Sequence, residues 1–171
     1  MSADPEFEDV VNRYYRDLYR FGFSLSGSET EACDLTQQTF YIWANNRDRV
    51  RNPGSVKSWL FTTLHREFLK ACRRQQRLAR ESIDECIDDL PHIPADCMNR
   101  IDSQTLVRLL GELAEDFRAP LVLYYMEDLS YQEIADVLAI PLGTVQSRIA
   151  RAKTQLLRRL TGTSSTARKK V

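Results

Sequence analysis

The chain has 171 residues, and its 24 Lys and Arg are balanced by 24 Asp and Glu, so its formal net charge is zero. A hydrophobic content of 43% is enough to bury one medium or two small cores. No run of eighteen apolar residues occurs and the acidic N-terminus is unlike a signal peptide, so we expect a cytoplasmic protein without a membrane span. Few strand-like alternations and many helical periods predict an all-α chain.

Two helices are predicted at the start of the chain. Apolar residues recur at steps of three and four, which predicts a first amphipathic helix from about Pro5 to Leu25. Ser28 and Glu31 have the spacing of a capping box, so a second helix is predicted to open there and to run to about Asn46.

The second predicted helix carries the stretch DLTQQTFYIW, residues 34–43. Its apolar members Leu35 and Phe40 are expected in a core. Its polar members have no packing reason to be there, so they indicate either plain solvent exposure or a surface for a partner. They are Asp34, Gln37 and Gln38.

A basic segment follows. Residues 47–57 form a loop with a proline-glycine turn, and the next helix is predicted to start at Ser55. Over residues 66–80 this helix has six cations and one acid, or a balance of plus five. Aromatic rings lie just upstream, and bases of single-stranded or melted nucleic acid can stack on such rings while cations follow the backbone. The alternative is that Trp59 and Phe68 belong to a core and the arginines to a solvated tail.

The middle of the chain is acidic, in contrast to the basic segment before it. Residues 81–97 contain six acids, two prolines and no Lys or Arg, which predicts a linker rather than a helix. Beyond it, apolar periodicity predicts helices over about 101–113 and from Asp116 or Phe117 to Glu127.

Two helices meeting at a tight turn are predicted over residues 129–160. Ser130 and Glu133 form a second capping-box pattern, and Pro141 breaks the helix that they open. A longer helix is then predicted from Leu142 or Thr144. Its apolar residues form one stripe, and its polar and basic residues lie on the opposite side. The stripe is Val145, Ile149, Ala152, Leu156 and Leu160.

This arrangement is a helix-turn-helix, whose second helix can enter a major groove about 12 Å wide. An ordinary helical hairpin with a solvated basic face is the alternative. The charge distribution favours DNA binding, because residues 141–171 contain eight cations and no acid in a chain of zero net charge. The residues after Gly162 are expected to be a frayed basic tail.

The stretch LSYQEIADVLAIPLGTVQSRIARAKTQL resembles the promoter-reading helix-turn-helix of bacterial extracytoplasmic-function (ECF) sigma factors, the small members of the sigma-70 family. Response-regulator output domains have a similar helix pair, so the N-terminal half must decide between the two families. There, DLTQQTFYIW resembles the sigma-factor helix that docks on the clamp helices of RNA polymerase. Two motifs of one family in the expected order favour a sigma factor.

A third stretch, SWLFTTLHREFLKACRR, is similar to the helix that recognises and helps to melt the minus-ten promoter element. Many family members have an Arg-Asn pair and then an Asp there, whereas this chain has His65-Arg66 and then Lys70. The promoter letters that the family prefers therefore do not transfer to this chain.

The resemblance implies two small helical domains. They are a region 2-like bundle over 5–80 and a region 4-like helix-turn-helix domain over 101–162, joined by an acidic linker over 81–100 and followed by a tail over 163–171. In the family the linker threads through polymerase near the path of nascent RNA; a plain solvated tether is the alternative.

The resemblance also implies three sets of site residues. Minus-thirty-five recognition would use Tyr131, Thr144, Val145, Gln146, Ser147, Arg148, Arg151 and Lys153. Minus-ten recognition would use Arg49, Arg51, Lys57, Trp59, His65, Arg66, Lys70, Arg73 and Arg74. Polymerase core binding would use Asp34, Leu35, Gln37, Gln38, Phe40 and Trp43.

The expected partners are the bacterial RNA polymerase core, promoter DNA and an anti-sigma factor. The rival hypothesis is a helix-turn-helix regulator that acts without polymerase. Two histidines, no paired carboxylates and no phosphate-binding loop argue against an enzyme.

The four cysteines have no CxxC spacing and are expected to be reduced. Cys86, His92 and Cys97 could in principle ligate zinc, but their spacing matches no structural zinc pattern, so no metal and no cofactor are expected.

Overall fold

The computed structural model describes residues 5–46, 53–81 and 108–167, and every regular element within them is helical, as predicted. The chain divides into two compact units. The first contains α1 (Pro5–Ser26), α2 (Glu29–Asn46), a 3₁₀ turn (Pro53–Ser55) and α3 (Val56–Glu81). The second contains helical residues 108–111, α4 (Glu115–Tyr125), most of α5 (Tyr131–Leu138) and α6 (Leu142–Ala167).

The first unit is a bundle in which α1, α2 and α3 all contact one another. Phe21 of α1 and Phe61 of α3 are fully buried, with ring centroids 5.4 Å apart. At the other side of the bundle Trp43 meets Trp59 edge to face, with centroids 5.3 Å apart. Aromatic pairs of this geometry stabilise a core beyond the area that they bury.

A glycine lets the first two helices approach closely. Gly22 of α1 is buried, and a Cβ built on it would lie 3.4 Å from the Cα of Ala32 and 3.5 Å from its carbonyl oxygen. Ala32 itself is fully buried on α2. Two small residues face each other here, so the contact is between backbones rather than side chains.

The start of α2 corrects one detail of the sequence prediction. The amide of Glu31 donates to Ser28 Oγ at 3.4 Å, which is half of the predicted capping box. The amide of Ser28 donates instead to Ser26 Oγ at 3.2 Å, and Glu31 Oε1 accepts from Gln75 Nε2 of α3 at 3.3 Å. The second half is missing because the Glu31 side chain is used in a contact between α2 and α3.

The helix-turn-helix opens with the full capping box that was predicted. Ser130 Oγ accepts from the amide of Glu133 at 3.3 Å, and the amide of Ser130 donates to Glu133 Oε2 at 2.8 Å. These two bonds satisfy amides that the first turn of a helix leaves without partners.

The turn between α5 and α6 lies where the proline predicted it. Ala139 adopts the left-handed conformation, with φ 54°, and closes α5. The carbonyl of Pro141 accepts from the amides of Thr144 and Val145, at 2.9 and 3.1 Å, so α6 begins at Leu142. This is one of the two predicted starting points.

The second unit is built on contacts between α4 and α6. Val145, Ile149 and Ala152 of the predicted stripe are buried, as are Leu121 and Val122 of α4. Helix α4 begins and ends within two residues of its predicted limits.

The C-terminal end of α6 corrects the predicted tail. The helix continues to Ala167, beyond the predicted end at Gly162. A glycine in a helix interior costs about 1 kcal/mol, which does not have to stop a helix that is already propagating.

Within residues 5–46, 53–81 and 108–167, no helix combines the length and apolar character needed to cross a membrane. The same residues contain no cluster of three or more possible metal ligands. The zinc candidates Cys86, His92 and Cys97 and the acidic linker lie outside this part of the chain, as do residues 101–107 of the predicted helix.

Candidate functional site

The outer side of α6 is polar, as predicted. Gln146, Ser147, Arg151 and Lys153 are exposed there, and Thr144 and Arg148 are half-buried at its edge. Val145 corrects the predicted minus-thirty-five set, because its side chain is fully buried and packs in the core. The face available to a nucleic acid therefore consists of polar and cationic side chains.

One cation of this face forms an ion pair with another helix. Arg148 Nη1 lies 3.0 Å from Oδ1 of Asp116, in the first turn of α4. The Arg148 side chain is 26% exposed and that of Asp116 is 62% exposed. No local pattern in the sequence links these two residues, since they lie far apart in the chain.

A tyrosine cluster lies beside the same helix. Tyr124 is 4.9 Å from both Tyr125 and Tyr131, measured between ring centroids. Lys153 Nζ lies over the Tyr125 ring at 5.9 Å from its centroid. Tyr131 is in the predicted minus-thirty-five set, whereas Tyr124 and Tyr125 lie at the end of α4 and belong to none of the predicted sets of site residues. Tyr125 is 54% exposed, so its ring lies at the surface beside Lys153.

The cluster shifts the pKa of Lys153 and that of Tyr124. A hydrogen bond with the Tyr125 hydroxyl, followed by the charge interaction with it, raises the pKa of Lys153 above its ordinary value. The pKa of Tyr124 is raised mainly by its interaction with Tyr131 and by a hydrogen bond to it. A lysine is protonated through the neutral range in any case, so Lys153 carries a positive charge there with which it can contact a phosphate.

The predicted polymerase-binding set separates into two groups on α2. Asp34, Gln37 and Gln38 are exposed, so they can contact a partner. The apolar members are corrected: they are buried in the three-helix bundle, so they support this surface from beneath instead of forming it. They are Leu35, Phe40 and Trp43.

A groove with a volume of about 450 Å³ runs beside the exposed group, between α2 and α3. Its floor is apolar and includes Leu35 and Phe68. Acids from both helices and bases from α3 surround the floor. They are Glu31 and Asp34 of α2 and Glu67, Lys70 and Arg74 of α3. The surface around Asp34 and Gln38 therefore continues into a concave surface of mixed charge.

Some residues of the predicted minus-ten set are exposed, and others are buried. Arg66, Lys70, Arg73 and Arg74 are exposed along α3. Lys70 pairs with Glu67 on its own helix. His65 is corrected, because its side chain is only 6% exposed and lies within the bundle.

The aromatic residues of α3 agree in part with the alternative hypothesis, in which Trp59 and Phe68 belong to a core. Phe61 and Phe68 are buried, so neither ring can stack on a base. Trp59 is half-buried and uses one side of its indole against Trp43. Lys57 is half-buried, and Arg49 and Arg51 lie outside the described residues. The structure thus leaves Trp59 as a partly accessible ring next to an exposed row of cations.

Two family models match this chain, and they divide it as the two structural units do. Sigma-70 region 2 matches residues 10–78, and sigma-70 region 4 matches residues 103–156. The first match covers the three-helix unit, and the second covers the helix-turn-helix.

Curated relatives extend along most of the chain. The RNA polymerase sigma factor SigV of Bacillus subtilis is 30% identical over 142 residues, which is 83% of each protein. The ECF RNA polymerase sigma factor SigE of Mycolicibacterium smegmatis is 35% identical over 163 residues, or 91% of this chain. The match covers only 62% of the length of that relative.

A solved structure has the same fold. The sigma factor RpoE of Bartonella quintana, solved in complex with the anti-sigma factor NepR, superposes with a TM-score of 0.82 at 28% identity. The match covers 92% of this chain and 98% of that one.

Proposed function

This chain belongs to the sigma-70 family, within its extracytoplasmic-function group, and we propose that it directs core RNA polymerase to specific promoters and assists DNA melting at initiation. One observation supports this proposal above all. Each of the two family regions presents its own exposed polar surface, on α2 and α3 in the first unit and on α6 in the second.

In this proposal α6 reads the minus-thirty-five element. Arg148, Arg151 and Lys153 contact phosphates or base edges, and Gln146 and Ser147 lie near bases. Arg and Lys pair well with guanine and Gln with adenine, whereas phosphate contacts set the position on the duplex.

The first unit has two roles in the proposal. Asp34, Gln37 and Gln38 bind the polymerase core, and the exposed cations of α3 hold the minus-ten region while Trp59 offers a ring to an unpaired base. Extruding a base from the stack costs a few kcal/mol, so these contacts must offset that cost. The factor acts without catalysing a reaction itself and works in the cytoplasm, where polymerase is.

Polymerase would hold the two DNA-binding surfaces at a fixed separation. Each surface alone is small, so the affinity for a promoter depends on both binding at once, as an effective concentration. The free protein is therefore expected to bind DNA weakly. A specific footprint by the protein without polymerase would instead support a polymerase-independent regulator.

The deciding experiment is run-off transcription with core polymerase, with and without the protein, on a promoter library randomised at both elements. Gln38→Ala should lower output, and excess core polymerase should restore it, because only docking is weakened. Arg148→Ala should lower output about tenfold, and polymerase should not restore it, because a base or phosphate contact is worth about 1–3 kcal/mol.

Two variants serve as controls. Arg16→Ala removes an exposed cation of α1, and Asn45→Ala shortens an exposed side chain of α2 beyond the docking residues. Both should transcribe like the wild type. No transcription by the wild-type protein with any library member would refute the proposed function.

We also infer that an anti-sigma factor holds this chain inactive, as NepR is bound to the Bartonella quintana protein. Such a protein should abolish run-off output when added before core polymerase. If run-off output persists when a saturating amount of the candidate anti-sigma factor is added, this part of the proposal is wrong.

A further inference from the structure

The ion pair between Arg148 and Asp116 sets one cation of α6 apart from its neighbours. The two residues belong to different helices, α6 and α4, which pack against each other. Arg151, one turn further along α6, is exposed and forms no ion pair among the residues that the structure describes. One arginine is thus held by the domain, and the next extends freely into solvent.

A held arginine is suited to a different task from a free one. Reading guanine needs two parallel N–H bonds to fixed acceptors, so the guanidinium must be oriented. Neutralising a phosphate needs only positive charge nearby. Because a carboxylate at 3.0 Å both restrains the Arg148 guanidinium and reduces its net positive field, the pair favours an oriented base contact over a loose phosphate contact.

The geometry leaves enough donors for that contact. A guanidinium has five N–H donors, and in this pair Nη1 is the atom near Asp116. Burial also restrains the residue, since only 26% of the Arg148 side chain is exposed. Less rotamer freedom then remains to be lost when DNA binds.

We propose that Asp116 is a positioning residue that orients Arg148 toward a base edge and thereby sets selectivity for the minus-thirty-five element. The inference rests on the proposed function of α6. It assigns a share in promoter choice to an acidic residue outside the helix-turn-helix.

The test uses holoenzyme reconstituted from core polymerase and the full chain, with a promoter library randomised at the upstream element. Transcripts are sequenced, and the preference for the best element over the library mean is measured. Asp116→Asn should reduce this preference by about two- to fivefold, the range expected for an exposed ion pair, while total output is kept or raised.

Glu112→Gln is the matched control. It also replaces one acid by its amide in the same unit, and it breaks the pairs of Glu112 with Arg108 and Arg159, at 3.1 and 2.7 Å. The change in net charge is the same, so nonspecific attraction to DNA should rise equally in both variants. Preference among upstream elements should fall only in Asp116→Asn.

Two further variants separate positioning from stability. Asp116→Glu keeps the negative charge in the first turn of α4, where any acid stabilises the helix. It should also restore most of the preference for the best upstream element. In an Arg148→Ala background, Asp116→Asn should change the preference no further, because the two residues act as a unit.

Equal preference in Asp116→Asn and Glu112→Gln would overturn the inference, as would an effect of Asp116→Asn that persists without Arg148. Both results leave the proposed function intact, provided that the wild-type holoenzyme selects an upstream element. A wild-type holoenzyme that selects none would refute the proposed function instead.

Discussion

Individual polar residues of α2 show how one helix can serve both a core and a surface. Thr36 and Thr39 are fully buried, and their hydroxyls donate to the carbonyls of Ala32 and Leu35, both at 2.7 Å. A hydroxyl satisfied by its own helix can be buried without the cost of an unmade hydrogen bond. The side chains of Asp34, Gln37 and Gln38 remain at the surface, where Gln37 Nε2 donates to Cys33 Sγ of the same helix at 3.3 Å.

The Trp43–Trp59 contact provides a test at this scale. Trp43 is 5% exposed, so Trp43→Ala should lower the free energy of unfolding of the first unit by about 3–5 kcal/mol. The chain has two tryptophans and both are in this unit, so the fluorescence of Trp59 during urea unfolding reports on it. Tyr41→Ala on the same helix, at a residue 66% exposed, should change stability by no more than about 0.5 kcal/mol. Equal urea midpoints for the two variants would show that the indole pair does not support the bundle.

At the scale of elements, the helix-turn-helix depends on two local devices at the ends of α5. The capping box of Ser130 and Glu133 fixes where the helix starts, and the left-handed Ala139 fixes where it ends. Together they set the direction in which α6 leaves the turn. The orientation of the polar face of α6 therefore follows from a few residues at the ends of α5.

The strain in the turn at Ala139 can be tested by making the same alanine-to-glycine substitution at Ala139 and at Ala150. A non-glycine residue at φ 54° is strained, so Ala139→Gly should raise the free energy of unfolding by about 0.5–1 kcal/mol. Ala150→Gly, at an exposed interior position of α6, should lower it by about 1 kcal/mol. Differential scanning calorimetry of the full chain measures both. A loss of stability in Ala139→Gly would mean that the left-handed turn is not strained.

At the scale of the whole molecule, zero net charge conceals a strong separation of charge. Residues 141–171 have eight cations and no acid, whereas residues 81–97 have six acids and no Lys or Arg. Attraction to DNA is thus concentrated on particular surfaces and is not a property of the chain as a whole.

This separation predicts a strong dependence on salt. With about six phosphate contacts, the affinity of the free protein for duplex DNA should fall with a log–log slope near minus five. Fluorescence anisotropy over a range of salt concentrations measures the slope, and Arg151→Ala should reduce it by about one. Arg16→Ala, which removes a cation from α1, should leave it unchanged. An affinity independent of salt would contradict the assignment of these cations to phosphates.

Features that depend on neighbours along the chain could be predicted from the amino-acid sequence. The helices, the capping box at Ser130, the break at Pro141 and the polar side of α6 all follow from residues within four positions of one another, where backbone hydrogen bonding and helical periodicity operate. The motifs of the two family regions are also local, so the family could be inferred before the fold was known.

Which members of those motifs reach the surface could not be predicted without the fold. Val145 and His65 were assigned to DNA contact and Trp43 to polymerase contact, yet all three are buried. The pairing of Arg148 with Asp116 and of Lys153 with Tyr125 also required the fold. Burial and ion pairing depend on residues that are distant in the chain and are brought together by packing, so no local pattern specifies them.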